Sequence, residues 1–387
     1  MDLAYSPIAL QVAARTREFI DREVIPLENR AVRDGLAPET LAALRDKARA
    51  AGVYGPQINP AYGGLGLGIL DIVPVFEAAG RSLLGPLALH CSAPDEGNLH
   101  TLEIAANPAQ RERYLRPLAE GPVRSAFAMT EPAPGAGADP AAIRTAARRD
   151  GDGWVIDGHK WFTTGADGAA FILVMARTDA DVSVHRGCTL FVVDAGTPGV
   201  NIVRRIPVMG DHAPGGHCEI RFEGCRVPDG AVLGAPGAGF KIAQQRLGPA
   251  RLTHCMRWTG VAQRALEFAT ARARDRHAFG GPLADKQAVQ WMLADSHLEL
   301  EMGRMLIQRA AWLLSQGQEA RVETSMAKLH VAESVHRVID RAVQICGALG
   351  VSDDGPLAEF YREARAFRIY DGPSEVHRMV IAREILR

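Results

Sequence analysis

Four stretches of the chain carry side chains able to do chemistry. Near the C-terminus, Tyr370-Asp371-Gly372-Pro373-Ser374-Glu375 sets a carboxylate between an aromatic and a Gly-Pro turn. A carboxylate so placed can act as a general base, and Asp-Gly-Pro is equally a turn signal in its own right. Phe127-Ala128-Met129-Thr130-Glu131-Pro132 runs into the small-residue loop 133–139, where little bulk hinders close approach of main chain to a ligand. Lys160-Trp161-Phe162-Thr163-Thr164-Gly165 puts two aromatics beside two hydroxyls. That pattern suits stacking on and hydrogen bonding to a flat polar ring, and is also that of an ordinary amphipathic strand. Arg272, Arg274 and Arg276 precede Phe279-Gly280-Gly281 and Gln287. Arginines before a Gly-rich break can hold phosphate, and cations at a helix end are favoured by the dipole alone.

The elements that must position these residues change along the chain. Ile8, Val12, Phe19, Ile20 and Val24 recur at helical spacing until Pro26 stops the pattern. A second helix is predicted from Pro38 to about Ala51, with Gly52 as its stop. A Gly-rich loop, 59–67, follows, and helical text resumes to about Leu118. The middle third reads as strands. Trp154–Phe162 suggests strand, turn, strand with Asp157-Gly158 at the turn, 169–175 and 188–193 are apolar runs of strand length, and Cys218, Ile220 and Phe222 alternate with charged residues. From about Phe240 the text is helical again, with long stretches at 252–276, 284–315 and 319–347 that suggest a bundle.

Composition bounds the function. The 387 residues carry 44 Lys+Arg against 45 Asp+Glu, a net charge of −1, with 47% hydrophobic and 23% charged residues. This length predicts two or three folded domains. The balance argues against a nucleic-acid binder and against a disordered chain. Of the basic residues 39 are arginine, chiefly a compositional bias. The six cysteines are scattered without zinc spacing, so no metal site is expected and a reducing, cytoplasmic setting is the default. The opening Met1-Asp2-Leu3-Ala4 has no basic n-region, which predicts no signal peptide, and no apolar run is long enough for membrane insertion.

Taken in order, the motifs resemble those of the acyl-CoA dehydrogenase family of flavoproteins. Residues 59–67 resemble P-E-x-Y-G-G-L-G, 129–139 resemble T-E-P…G-S-D, and 158–164 resemble G-x-K-x-W-I-T. Arg226-Val227-Pro228 follows the β domain as in the family. Residues 276–287 resemble R-x-x-F-G-x-P-L-x-x-x-Q, 344–350 resemble Q-x-x-G-G-x-G, and 370–378 resemble Y-E-G-T-S-E-I-Q-R. The phrases 246–251 and 254–257, together with Asp371-Gly372-Pro373, are similar to a subgroup found in eukaryotes fused to kinase-like domains and acting on longer-chain or 4-hydroxyacyl-CoA thioesters. The chain is expected to be the dehydrogenase portion alone.

The resemblance implies an α+β multidomain fold: an N-terminal all-α domain (1–122), a middle β-barrel-like domain (123–235) and a C-terminal four-helix bundle (236–387). It implies FAD, held between the middle domain and the bundle, and a homodimer or homotetramer. It also implies FAD-dependent α,β-dehydrogenation of an acyl-CoA, with the β-hydride passing to flavin N5 and an electron-transferring flavoprotein as acceptor. The family's glutamate base falls on Asp371, one methylene shorter, so an inward-shifted loop or a deeper substrate is expected. Ala250, at the alternative base position used by some members, cannot act. Thr130 and Thr164 fall on hydroxyls that hold the isoalloxazine, with Phe127, Ala128 and Met129 along its edge, and Phe162, in place of Trp, and Thr163 beside it. Arg276, Phe279, Gln287, Gln344 and Gly347 fall on pyrophosphate and adenosine contacts, and Pro373 and Glu375 on further FAD contacts. Gly248 and Arg251, at a substrate-contacting helix start, and Ala138, in place of a Ser, fall on CoA contacts. Two other readings stay open: a nitroalkane-oxidase-like flavoenzyme using the same aspartate without CoA, and a catalytically weak binding homologue.

Overall fold

The computed structural model describes residues 3–28, 36–210 and 213–387. Met1 and Asp2, on which the reading of the N-terminus partly rests, lie outside the described residues. The chain divides into two compact units: residues 1–57, 65–91 and 251–387 form one, and residues 58–64 and 92–250 the other. The three segments expected from the sequence are thus distributed over two units. The physical reason is the first unit's core, in which Phe76, Leu84 and Leu89 pack with Met256, Leu300, Ile339, Phe360 and Phe367 in one buried cluster.

The first unit is helical. Helix α1 (Pro7–Phe19) starts on Ser6, whose side chain accepts from the Ala9 N–H. It does not stop at Pro26: a π-helical turn (Ile20–Val24) and a 3₁₀ turn (Ile25–Leu27) carry the chain past it, because a proline early in a new turn has no lost N–H to satisfy. Helix α2 (Pro38–Ala50) has proline at its start and Gly52 (φ +65°) just past its end, as its sequence predicts. Helix α3 (Ile72–Ala79) is apolar on nearly all sides and mostly buried. The C-terminal part supplies α5 (Gly239–Asp275), α6 (Gln287–Ser315), α7 (Arg321–Cys346), α8 (Leu357–Phe367) and α9 (Ser374–Ile385). Helix α7 packs against α6, α8 and α9.

Residues 248–251, expected at a helix start, lie well inside α5, which runs through Pro249. Proline there removes one main-chain bond without ending the helix, and the boundary between the two units falls just after it, at Ala250.

The second unit holds helix α4 (Asp95–Ala105) and an eight-stranded mixed sheet. The strands are β1 (Ser125–Ala128), β2 (Ala146–Asp150), β3 (Gly153–Thr164), β4 (Phe171–Arg177), β5 (Cys188–Asp194), β6 (Val200–Arg205), β7 (His217–Pro228) and β8 (Val232–Leu233). Their order is β6-β7-β3-β2-β4-β5-β8, with β1 parallel to β4. The path ends at β6 and β8, so the sheet is open and not a closed barrel. Both faces of β4 are covered. Ile172, Val174 and Ala176 enter one core with Phe191 and Phe222; Phe171, Leu173 and Met175 enter another with Leu99, Leu102 and Leu118. That is why this strand reads as a continuous apolar run rather than alternating. At the edge, β6 is solvent-exposed along nearly all its length, with Ile202 and Val203 followed by Arg204 and Arg205.

One sequence expectation fails in this sheet. Asp157-Gly158 is not a hairpin turn. It lies inside the single strand β3, where the register against β7 shifts between Ile156 and Gly158. Asp157 Oδ1 accepts the Gly224 N–H at 2.6 Å, and a Cβ on Gly158 would stand 2.4 Å from Thr145 Oγ1, so the pair makes a bulge that only glycine fits. Arg226-Val227-Pro228 forms the last three residues of β7 and pairs with Gly153–Val155. Among the described residues no helix is long and apolar enough to cross a membrane.

Candidate functional site

In the second unit, β1 and β3 bring two predicted stretches together. The Trp161 N–H donates to the Thr130 carbonyl at 3.0 Å, tying the end of β3 to the Met129–Glu131 loop. Beneath it lies a buried ion pair. Lys160 Nζ, fully buried, donates to Glu131 Oε1 and to the Met129 carbonyl, each at 2.9 Å. Glu131 also accepts the main-chain N–H groups of Arg144 (2.7 Å) and Thr145 (2.9 Å). Burial alone would raise the Glu131 carboxyl, but Lys160 and Thr145 outweigh it and hold it below its ordinary range. Lys160 is pushed down to about 8 by burial, against the opposing pull of Glu131. β1 is anchored in turn by Asp95, whose Oδ1 accepts from both the N–H and the hydroxyl of Ser125. The Phe127 ring carries the Arg246 guanidinium at 4.1 Å.

The predicted ring-holding residues divide by strand alternation. Phe162 is 45% exposed and has φ +48°, turned outward against the edge of Trp161. Thr164 is half-buried, its hydroxyl 2.9 Å from His217 Nδ1, and Thr130 is half-buried in the loop whose carbonyl accepts from Trp161. Thr163, between them, is turned inward and buried, so a ligand can meet it only through main chain. Ala128 is likewise fully buried, and Ala138 is exposed. Gly248 has open space where a Cβ would stand. Two hydroxyls, an exposed aromatic ring and main-chain groups at the end of β1 are the donor, acceptor and stacking surfaces a flat heteroaromatic ring requires, so these residues fit a flavin.

In the first unit, Asp371 is held from α5. Arg251 Nε donates to the Asp371 carbonyl at 2.8 Å, His254 Nε2 lies 3.4 Å from Asp371 Oδ2, and Trp258 Nε1 donates to the Tyr370 hydroxyl at 2.5 Å. Residues 251, 254 and 258 share one helical face at spacings of three and four. Asp371 (φ +54°) and Gly372 (φ +100°) take consecutive left-handed conformations, which Asp-Gly adopts more readily than Glu-Gly would. Lys328 of α7 is buried, donates to the Phe367 carbonyl at 2.6 Å and lies over the Phe367 ring. Burial pushes it down to about 8, against the pull of Cys255 and Asp371. His377 packs under Gly372, and burial pushes it down to about 4 with help from Lys328 and Arg251. Burial raises the Tyr370 hydroxyl and lowers Arg251.

The predicted phosphate and adenosine contacts are presented to solvent. Arg276, Gln287, Gln344 and Glu375 are exposed, and Pro373 is half-buried just before α9. Phe279 is 94% exposed at the tip of a two-residue-strand hairpin (His277–Ala278 with Gly281–Pro282), with φ +51°. Gly347 (φ +61°, ψ −133°) has a conformation that favours glycine at the end of α7.

Among the described residues, four that are not glycine have positive φ: His90, Phe162, Phe279 and Asp371. Three of them are residues that the sequence had singled out. The reading missed His254, Trp258 and Lys328, although the spacing of 254 and 258 from Arg251 was visible, and it missed the pairing of Lys160 with Glu131.

Comparison with known proteins matches this chain to three family models: the acyl-CoA dehydrogenase N-terminal domain over residues 7–122, the middle domain over 126–225 and the C-terminal domain over 237–386. Among curated relatives, "Probable acyl-CoA dehydrogenase FadE2" of Mycobacterium tuberculosis is 42% identical over 99% of this chain and 96% of its own length. Acyl-CoA dehydrogenase family member 10 of Mus musculus is 37% identical over 99% of this chain, which spans 37% of that protein. Among solved structures, one from Mycobacterium abscessus assigned as an acyl-CoA dehydrogenase is 40% identical with TM-score 0.93, covering 99% of both chains. PigA, solved with FAD and proline, is 25% identical with TM-score 0.90, covering 100% of this chain and 99% of that one.

Proposed function

The chain belongs to the acyl-CoA dehydrogenase family, and from that premise we propose that it is an FAD-dependent oxidoreductase that introduces an α,β double bond into an acyl-CoA, with Asp371 as the base. FAD, when bound, supplies the acceptor for the hydride equivalent leaving the substrate β-carbon. The chain's own residues do the rest. Asp371 takes the α-proton, from a turn that Arg251 fixes through the main-chain carbonyl. Phe162, Thr130 and Thr164 bind the isoalloxazine ring, with main chain from 127 to 129 along its edge. Arg276, Phe279, Gln287, Gln344, Gly347, Pro373 and Glu375 are assigned to the rest of FAD, and Gly248, Arg251 and Ala138 to the CoA thioester. The observation that carries the reading is the Asp371 turn: a carboxylate held in a left-handed conformation, at the motif position of the family's base, by residues of a facing helix.

Association of copies, as a homodimer or homotetramer, is supported by an exposed apolar stripe on α6: Trp291, Leu298, Met302 and Met305, spaced at three, four and seven. An electron-transferring flavoprotein is proposed as the acceptor and the cytoplasm as the location. Anaerobic bleaching of the flavin by a panel of acyl-CoAs tests the function. Wild type is expected to bleach with at least one of them and Asp371→Asn with none; full turnover by Asp371→Asn would remove the base assignment. One observation favours a second reading. Arg251, expected at CoA, has Nε engaged by Asp371, which leaves room for an aspartate base acting without CoA. Bleaching by a nitroalkane and not by acyl-CoA would select it.

A further inference from the structure

Aspartate at the base position poses a geometric problem. Its carboxylate sits one methylene closer to the main chain than a glutamate's, and its χ1 and χ2 rotations sweep the oxygens across an arc whose error matters: a misplacement of about 1 Å costs about a hundredfold in rate. Arg251 Nε donates to the main-chain carbonyl of Asp371. One group visible at the carboxylate itself is His254, whose Nε2 lies 3.4 Å from Oδ2.

His254 is itself held in place. Its ring lies 4.9 Å from the Tyr370 ring and 6.2 Å from that of Phe367. Tyr370 is pinned by Trp258, one helical turn beyond His254 on the same face of α5. His254 and Asp371 are largely buried, with side-chain exposures of 14% and 20%, so a hydrogen bond or ion pair between them is less screened than one at the surface.

We propose that His254 is a positioning residue for proton abstraction: its Nε2–H holds Oδ2 of Asp371 and so fixes the orientation of the short carboxylate toward the substrate α-carbon. The inference rests on the reading of Asp371 as the base. It requires only that Nε2 carry a proton, which both the imidazolium and one neutral tautomer provide. Other ionisable groups whose charges meet that of Asp371 include Arg251 and Cys255 from α5, Lys328 from α7 and Tyr370 beside it; His377 of α9 feels Lys328 and Arg251 and the main chain of Asp371 and Gly372. Of these, Arg251 reaches the main chain, and Lys328 donates to Phe367.

The test separates positioning from packing. The probe is 3-thiaoctanoyl-CoA, in which sulfur replaces the β-carbon so that no β-hydrogen can leave. Proton abstraction is then read alone, as exchange of α-hydrogen for deuterium by the FAD-loaded enzyme in deuterium oxide, with affinity for the probe and melting temperature measured alongside. His254→Phe keeps a ring against Tyr370 and loses Nε2; His254→Gln keeps an N–H donor. The expected result is exchange about 10- to 100-fold slower in His254→Phe, with affinity within about twofold of wild type, and most of the rate restored in His254→Gln. Wild-type exchange in His254→Phe, or His254→Gln no faster than His254→Phe, overturns the inference. Asp371→Asn run in parallel keeps the two readings apart. If it exchanges like wild type, the base assignment fails; if it is inactive while His254→Phe is unimpaired, only the role of His254 fails.

Discussion

Replacing Lys160 by methionine should destabilise the second unit and loosen its hold on the flavin. The side chain is fully buried, and its ammonium makes two bonds, to Glu131 Oε1 and to the Met129 carbonyl. Methionine fills similar volume, so the loss is electrostatic and not a cavity. Removing the ammonium leaves Glu131 with the Arg144 and Thr145 N–H groups, so the carboxylate stays partly satisfied, while the Met129 carbonyl loses this donor. An orphaned buried carbonyl costs about 1–3 kcal/mol, and removing one member of a buried pair about 3–5 kcal/mol. Against this, Lys160 already bears a burial penalty, seen in its fall to about 8, that methionine does not. The lower end, about 3 kcal/mol, is therefore expected. For a unit of this size that corresponds to a melting temperature lower by roughly 6–12 °C. Urea unfolding of the holoenzyme measures it, with retained FAD absorbance as a second readout, because the Met129–Thr130 main chain that the ammonium holds is assigned to the flavin. The exposed Lys241→Met serves as control and should lie within about 0.5 kcal/mol of wild type. A loss below about 1 kcal/mol for Lys160→Met, with flavin retained, would refute the claim that this pair organises the loop.

Acidification should destabilise the first unit through His377. Its folded pKa, about 4, lies below the ordinary 6.5, so between those values the unfolded chain binds a proton that the folded one refuses; stability present above pH 6.5 falls as pH drops toward 4, and His377→Gln should flatten that slope in denaturant titrations. Lys328 acts in the alkaline range with the same sign: its own contribution rises between about pH 8 and 10.5, so the difference in stability between wild type and Lys328→Met should shift in wild type's favour across that window. Gly158→Ala, whose Cβ would meet Thr145 at 2.4 Å, should cost about 1–3 kcal/mol in thermal unfolding and cost less when Thr145 is also made glycine. Trp258→Phe should cost about 1 kcal/mol by leaving the half-buried Tyr370 hydroxyl without its indole donor, and adding Tyr370→Phe should recover part of it.

What could be read in the sequence was what local rules decide. Pro38 and Gly52 bracket α2, the alternation of Cys218, Ile220 and Phe222 marks β7, and the α6 and α7 stretches carry their apolar spacing openly. Asp157-Gly158 misled because a bulge and a hairpin turn use the same dipeptide; the choice was made by Thr145 and Gly224, which neighbouring strands bring alongside. The helix start that the resemblance implied near 248–251 falls inside α5, where Pro249 is tolerated. The candidate site shows the same division. Asp371, Phe162 and Phe279 stood out by motif, and their left-handed backbones agree that each sits under local constraint. Arg251, His254 and Trp258 plainly share a helix face, but what they face lies more than 110 residues further along the chain. The burial of Lys160 against Glu131 was invisible for a related reason: a charge run says nothing of depth until strands pair over it.

The open edge at β6 has a consequence for how the protein survives at high concentration. A free strand bearing Ile202 and Val203 is a template on which an identical strand from another molecule could pair and begin an aggregate. Arg204 and Arg205 follow these two residues and are tethered by Glu219 and Asp167 at 2.7 and 2.8 Å, which holds their bulk and charge beside the strand. Charged, ion-paired side chains held beside an exposed edge strand are a device that disfavours edge-to-edge pairing between copies.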